Sequence, residues 1–320
     1  MDRILKTKIN EVFIMPRTAR IKRNDAIYHI IGRSISEVDL FKNDEDKEKY
    51  LLIIKEAQKT YNFKIYTYCL MDNHVHLIVD SNGSDISKVM HTINFRYARY
   101  FNTKHKRHGH LFQDRFKSIM VEDDKYLVAL SLYIHNNPVE ADIVKNPEDY
   151  EFSSLRYYLG ISKDEFNIID KNFILGIVGS NKKKSVEKYL ELVNTTKTAT
   201  IDEITKIDYE LEDTNSEYRS ERKALIRDFK PEDVIQYVAK IFGKDKVAFH
   251  IKHCRDIKVA KSILILLLRN LCNASCKDIC KILGNITSAR VSKLSGIGLD
   301  FIMNDDKYKD VIEDFIACYF

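Results

Sequence analysis

Two histidines separated by one residue, His74-Val75-His76, lie in the run Leu70-Met71-Asp72-Asn73-His74-Val75-His76-Leu77-Ile78-Val79. On a strand, residues i and i+2 project from the same face, so both imidazoles would point together while Val75, Leu77 and Val79 pack on the other side. Two imidazoles on one face are half of a metal site. An isolated pair of this kind is more often a satisfied pair on a half-buried strand, so the chemical reading needs a partner. Tyr133-Ile134-His135-Asn136-Asn137-Pro138 offers one. Tyr133 and Asn137 stand four residues apart, stacked one helical turn from each other, and present a phenol and a carboxamide together. A carboxamide oxygen can complete a three-ligand site, and a phenol beside a bound phosphate is a nucleophile. The plainer reading is a helix C-terminal turn with Asn as a cap and Tyr as a core aromatic. The chain has 18 tyrosines, so spacing alone does not select Tyr133.

The elements that must position these residues follow from periodicity. Ala26 to Arg33 reads as a strand, Asp44 to Tyr61 as a helix, Phe63 to Leu70 and His74 to Asp80 as an antiparallel pair, Ile86 to Phe101 as a helix, and Phe116 to Val121 as a fourth strand. Asp123 to Asn136 is helical, with Asp123 or Asp124 as N-cap and Pro138 ending it. This βαββαβ order is that of the ferredoxin-like fold, with an extra helix after the last strand. The expected class is α+β: a tail over residues 1–20, a catalytic domain over 21–160, a helical connector and acidic linker over 161–228, and an all-α domain over 229–320. In the last, Ser275 to Leu283, Gly284-Asn285 and Thr287 to Leu294 have the size of a helix-turn-helix, with Arg290 and Lys293 placed to face a DNA duplex. Such helix pairs also occur in plain bundles.

A chain of 320 residues, 44% apolar and 31% charged, suits two folded domains; ten Gly and four Pro are too few for a turn-dense sandwich or barrel. The longest apolar run, Ile263 to Leu268, is far short of a membrane span, and no secretory segment is evident, which reads as a cytoplasmic protein. No cysteine spacing is that of a zinc knuckle; Cys272, Cys276 and Cys280 read as small core residues. The net charge of +5 says little, but its distribution says more. From Arg96 to Lys117 seven bases face one acid, Asp114, with three histidines interleaved, whereas Asp202 to Arg222 carries eight acids against three bases. The first is a candidate phosphate-binding patch, with Arg107, Arg115 and Lys117 as its contacts, and the second a solvated linker. Tyr97 and Phe101 keep register with Ile93 and belong to the interior; Tyr100 and Phe112 remain available to stack on bases.

The runs LMDNHVHLIV, GHLFQDRFKS, YIHNNPVEA and EFSSLRYYLG, in that order, resemble the single-tyrosine HUH transposases of the insertion-sequence 200 type, in particular the REP-associated tyrosine transposases. The resemblance covers residues 15 to 160 and implies a ferredoxin-like catalytic domain in which His74, His76 and Asn137 correspond to metal ligands and Tyr133 to the nucleophile. Insertion-sequence relatives commonly carry Gln at the third position; Asn followed by Pro resembles the REP-associated branch. The tail more loosely resembles the duplex-binding domain of replication initiators. The implied activity is cleavage and rejoining of single-stranded DNA at hairpin-flanked sites through a 5′-phosphotyrosine, with Mg²⁺ or Mn²⁺ suiting an oxygen-rich substrate, in a monomer or homodimer with no membrane association. The absence of a G-x-x-x-x-G-K-[ST] loop agrees with chemistry that needs no ATP. Two other classes compete: a DNA-binding regulator that lost the reaction, and a metal hydrolase using His74, His76 and Asp72 with water as nucleophile. Tyr126 is the fallback nucleophile, and no general acid for the leaving oxygen is identifiable; His135 points off the Tyr133/Asn137 face.

Overall fold

The computed structural model describes residues 23, 25–36, 38–206, 227, 229–251, 257–284 and 286–319. The expected N-terminal tail, most of the acidic segment, Cys254 and Asn285 of the helical turn lie outside these residues.

Four strands, β1 (Ile27–Arg33), β2 (Lys64–Leu70), β3 (His74–Asp80) and β4 (Lys117–Val121), form one sheet in the order β2-β3-β1-β4, every neighbouring pair antiparallel. Helices α1 (Asp44–Tyr61) and α2 (Ile86–Lys104) cover one face, and α3 (Asp124–Glu140) covers the other. Each helix start is fixed by its own sequence. Asn43 accepts from the Asp46 amide at α1, Asp85 from Ser87 at α2, and Asp123 from Tyr126 at α3. Asn62, at φ 51°, closes α1 in the left-handed region.

Alternation sorts the β3 side chains. Val75, Leu77 and Val79 are fully buried with Tyr28 and Ile30 beneath α1 and α2, joined by Ile93, Tyr97 and Phe101 of α2. His74 and His76 therefore face α3, as the spacing requires. The segment after α3 edges the sheet: Leu70 N donates to Phe152 O, and Ser154 N donates to Tyr68 O while the Ser154 hydroxyl accepts from Tyr68 N. Ser154 opens the short helix α4 (Leu155–Tyr158). Three further helices, α5 (Lys171–Val178), α6 (Lys182–Thr195) and α7 (Ile201–Lys206), pack against α3 and share its core.

One expectation is corrected. Pro138 does not end α3 but lies within it, and the helix runs to Glu140. Proline lacks only the bond it would donate to residue 134, and the next turn closes through Ala141 N to Asn137 O and Asp142 N to Val139 O. Tyr133 and Asn137 consequently both sit inside regular helix rather than at a fraying end.

The C-terminal helices α8 (Pro231–Phe242), α9 (Lys258–Leu271), α10 (Cys276–Leu283), α11 (Ser288–Asn304) and α12 (Val311–Tyr319) build a separate apolar core around Ile263 to Leu268 of α9. Gly298 lets α11 cross α9 closely: a Cβ there would fall 2.4 Å from the Ser262 carbonyl oxygen. Ser275 and Asp278 form a reciprocal capping box at α10. Cys272, Cys276 and Cys280 are half-buried against this core. No helix among the described residues is long and apolar enough to cross a membrane.

Candidate active site

The two strand histidines and the two helix residues meet. The His74 and His76 rings lie 5.0 Å apart, centroid to centroid and nearly perpendicular. The Tyr133 ring stands edge-on to His76 at 6.1 Å. Asn137, one turn further along α3, bonds through its side chain to that of His74, and its amide nitrogen donates to Tyr133 O at 3.2 Å. That donor fixes the carboxamide, so its oxygen is the end left for the imidazole side. His76 and Asn137 are buried, whereas His74 and Tyr133 are half-buried and so reachable from solvent.

A residue that the sequence did not single out lies behind them. His29, on β1, is buried and stacks on His76 with ring planes 23° apart; its Nε2 is 2.9 Å from His76 Nδ1. Burial pushes His29 down to about 4 and, with the neighbouring imidazoles adding to it, holds His76 well below the ordinary range. His74 is lowered by burial and by Arg33 nearby, against the opposing bond from Asn137. All three rings are thus neutral at pH 7. Two neutral rings sharing one contact hold a single proton between them. When it sits on His76 Nδ1 and points to His29 Nε2, the lone pair on His76 Nε2 is free for a ligand.

Among the described residues no three of His, Cys, Asp and Glu converge on a metal-sized space. A cation here would take His74, His76 and the Asn137 carboxamide oxygen; phosphate oxygens completing the set suit Mg²⁺ or Mn²⁺, and the two imidazoles would also accept zinc. Asp72, the carboxylate of the hydrolase alternative, is instead paired to Lys47 at 2.9 Å. Tyr126, the fallback nucleophile, sits two turns before Tyr133, where burial and then Asp202 and Asp123 raise its phenol. His135 is turned away from the site: fully buried, its Nε2 meets Ser154 Oγ at 2.8 Å and its Nδ1 meets Tyr189 OH at 2.9 Å, locking α3 to the sheet edge and to α6.

The basic residues occupy different surroundings. Arg115 and Lys117 are exposed, and Arg107 is half-buried against Asn102. Arg33, paired across the sheet with His74, is exposed at the rim. Arg290 and Lys293 are exposed on α11, far along the chain in the C-terminal core.

Residues 22–137 match the family model described as "Transposase IS200 like". A solved structure of a REP-associated tyrosine transposase bound to a REP hairpin aligns with 46% of this chain and 86% of its own, at 17% identity and a TM-score of 0.40. No curated protein matches the chain. Residues 22–137, the segment that matches this family model, carry His29, His74, His76, Tyr133 and Asn137.

Proposed function

We propose that the chain is a metal-dependent single-stranded DNA endonuclease and strand transferase with Tyr133 as nucleophile, acting at hairpin-flanked sites. The observation that carries this reading is the approach of Tyr133 to His76, with Asn137 one turn on and bonded to His74. The Tyr133 hydroxyl attacks the scissile phosphorus in line; the new O–P bond forms as the bond to the 3′ oxygen breaks, the phenolic proton leaves to solvent, and the 3′ oxygen takes one up. The products are a 5′-phosphotyrosine and a free 3′-OH, and the reverse step on another strand rejoins DNA without ATP. A bound divalent cation supplies neutralisation of the phosphoryl oxygens. The protein's own part is placement. α3 holds the phenol on the strand histidines, His29 orients His76, and Arg33 at the rim is placed to meet a phosphate.

The strand order and alternating directions support a ferredoxin-like domain, and the spacing, capping box and exposed Arg290 and Lys293 of α10 and α11 support a helix-turn-helix that contacts duplex flanks. On this reading Arg107, Arg115 and Lys117 contact the single strand, and the protein works in the cytoplasm as a monomer or homodimer. The test is incubation with Mn²⁺ and a pool of labelled hairpin DNAs on a denaturing gel. A covalent band that is lost in Tyr133→Phe and in His76→Ala supports the proposal. Cleavage that survives Tyr133→Phe but not His76→Ala points to a hydrolase, and binding without cleavage points to a regulator.

A further inference from the structure

On the sheet face opposite Tyr133, an open groove of about 1270 Å³ runs between α2 and the loop from Gly109 to Phe116. Its α2 wall carries an aromatic that the core does not use. Phe95 is 60% exposed, with the His91 ring parallel to it at 6.1 Å. The helix period that buries Ile93, Tyr97 and Phe101 necessarily turns Phe95 outward, but nothing in that period requires the outward residue to be aromatic. Half-buried Phe112 lines the other wall. Arg99 and Arg115 are exposed at the groove, and Asp114 is the one carboxylate lining it.

The loop is tied to the catalytic end of the sheet. Gln113 N donates to Arg33 O, Ile35 N donates to Leu111 O, and Phe112 bridges to Ser34. Arg33 pairs across the sheet with His74, so the groove begins at the strand end that carries the histidine site. Aromatic faces and cations together fit a ligand with π-faces and negative charge.

We infer that this groove seats unpaired bases of the DNA strand that flanks the cleavage site, with Phe95 and Phe112 as stacking surfaces and Arg99 and Arg115 on the phosphates. The inference rests on the strand-transfer reading for its substrate and shares only Arg115 with it. The strand passes around the end of β1, from the nucleophile on one face to the groove on the other.

Fluorescence anisotropy of the full chain with labelled oligo-dC and with an abasic strand of equal length tests it. Stacking on an aromatic side chain is worth enough that Phe95→Ser should weaken oligo-dC binding by at least about fivefold, leave the abasic strand unaffected, and be rescued by Phe95→Tyr. Phe95 is exposed, so the fold should persist; circular dichroism checks this. Equal affinity of wild type and Phe95→Ser for oligo-dC, or equal losses on both strands, overturns the groove. If that happens while wild type still forms a covalent adduct, only the groove falls. If the base-dependent loss appears but no adduct forms, the groove stands and the strand-transfer reading falls. If wild type binds neither strand, both fall.

Discussion

Replacing His29 with leucine tests how the candidate ligand His76 is held. In the ligating form His76 carries its proton on Nδ1, which points at His29 Nε2 2.9 Å away, and both rings are buried. Leucine removes the acceptor, so the ligating form loses the His76 Nδ1–H to His29 Nε2 bond, offset in part because His29 Nδ1 is itself buried without a partner among the described residues. That costs at most about 1–3 kcal/mol, or a factor of at most about 5 to 150 in metal affinity. The same range is typical when the outer partner of a ligating histidine is lost. Mn²⁺ binding, followed by the loss of the free-ion signal in electron paramagnetic resonance, reads the change without relying on turnover. His29→Gln keeps an acceptor in the same place and should recover most of the affinity. Equal Mn²⁺ affinity in wild type and a folded His29→Leu chain would refute the reasoning, because the inner bond would then have no part in fixing the ligand.

Three further outcomes follow from the packing. Burial pushes His135 down to about 3 in the fold, below an unfolded value of about 6.5. Above pH 6.5 the ring is neutral in both states; as pH falls below it, the unfolded chain takes up a proton that the fold refuses. Stability should therefore fall from pH 6.5 towards 3, by about 2 kcal/mol at pH 5 from this residue alone, and urea midpoints measured against pH should slope less in His135→Asn. Gly298→Ala forces α11 off the Ser262 carbonyl and should lower the stability of the C-terminal helices by about 1–3 kcal/mol in a denaturant titration. Asp46, buried and bonded to Lys104 at 2.8 Å and His105 at 2.9 Å, anchors the start of the basic loop to α1. Asp46→Ala should cost about 1.5–3 kcal/mol and raise hydrogen exchange in residues 104–110.

Much of this arrangement was legible in the sequence because period and facing coincide. The i, i+2 spacing of the two histidines on a strand placed both on one face, helical spacing gave the bounds of α1, and a capping residue gave the start of α3. Pro138 misled because its effect depends on how much helix follows it: two residues from the end it forfeits one bond and the turn still closes. His29 stayed hidden for a different reason. Within Ala-Ile-Tyr-His-Ile-Ile-Gly-Arg its spacing is that of any strand residue, and only the β1–β3 register, which pairs it with Ile78, sets it diagonally against His76. A lone polar side chain in a central, otherwise apolar strand was the available signal. The packing of α5 to α7 on α3 is likewise non-local, and no short window of the sequence encodes it.

The central claim is that Tyr133 becomes covalently joined to DNA. The most direct test is proteolysis of the full chain after incubation with Mn²⁺ and hairpin-flanked single strands, followed by mass spectrometry of the nucleotide-bearing peptide. The account predicts one modified residue, Tyr133, attached through a 5′ phosphate. Attachment at Tyr126, or strand cleavage with no modified tyrosine at all, would contradict it.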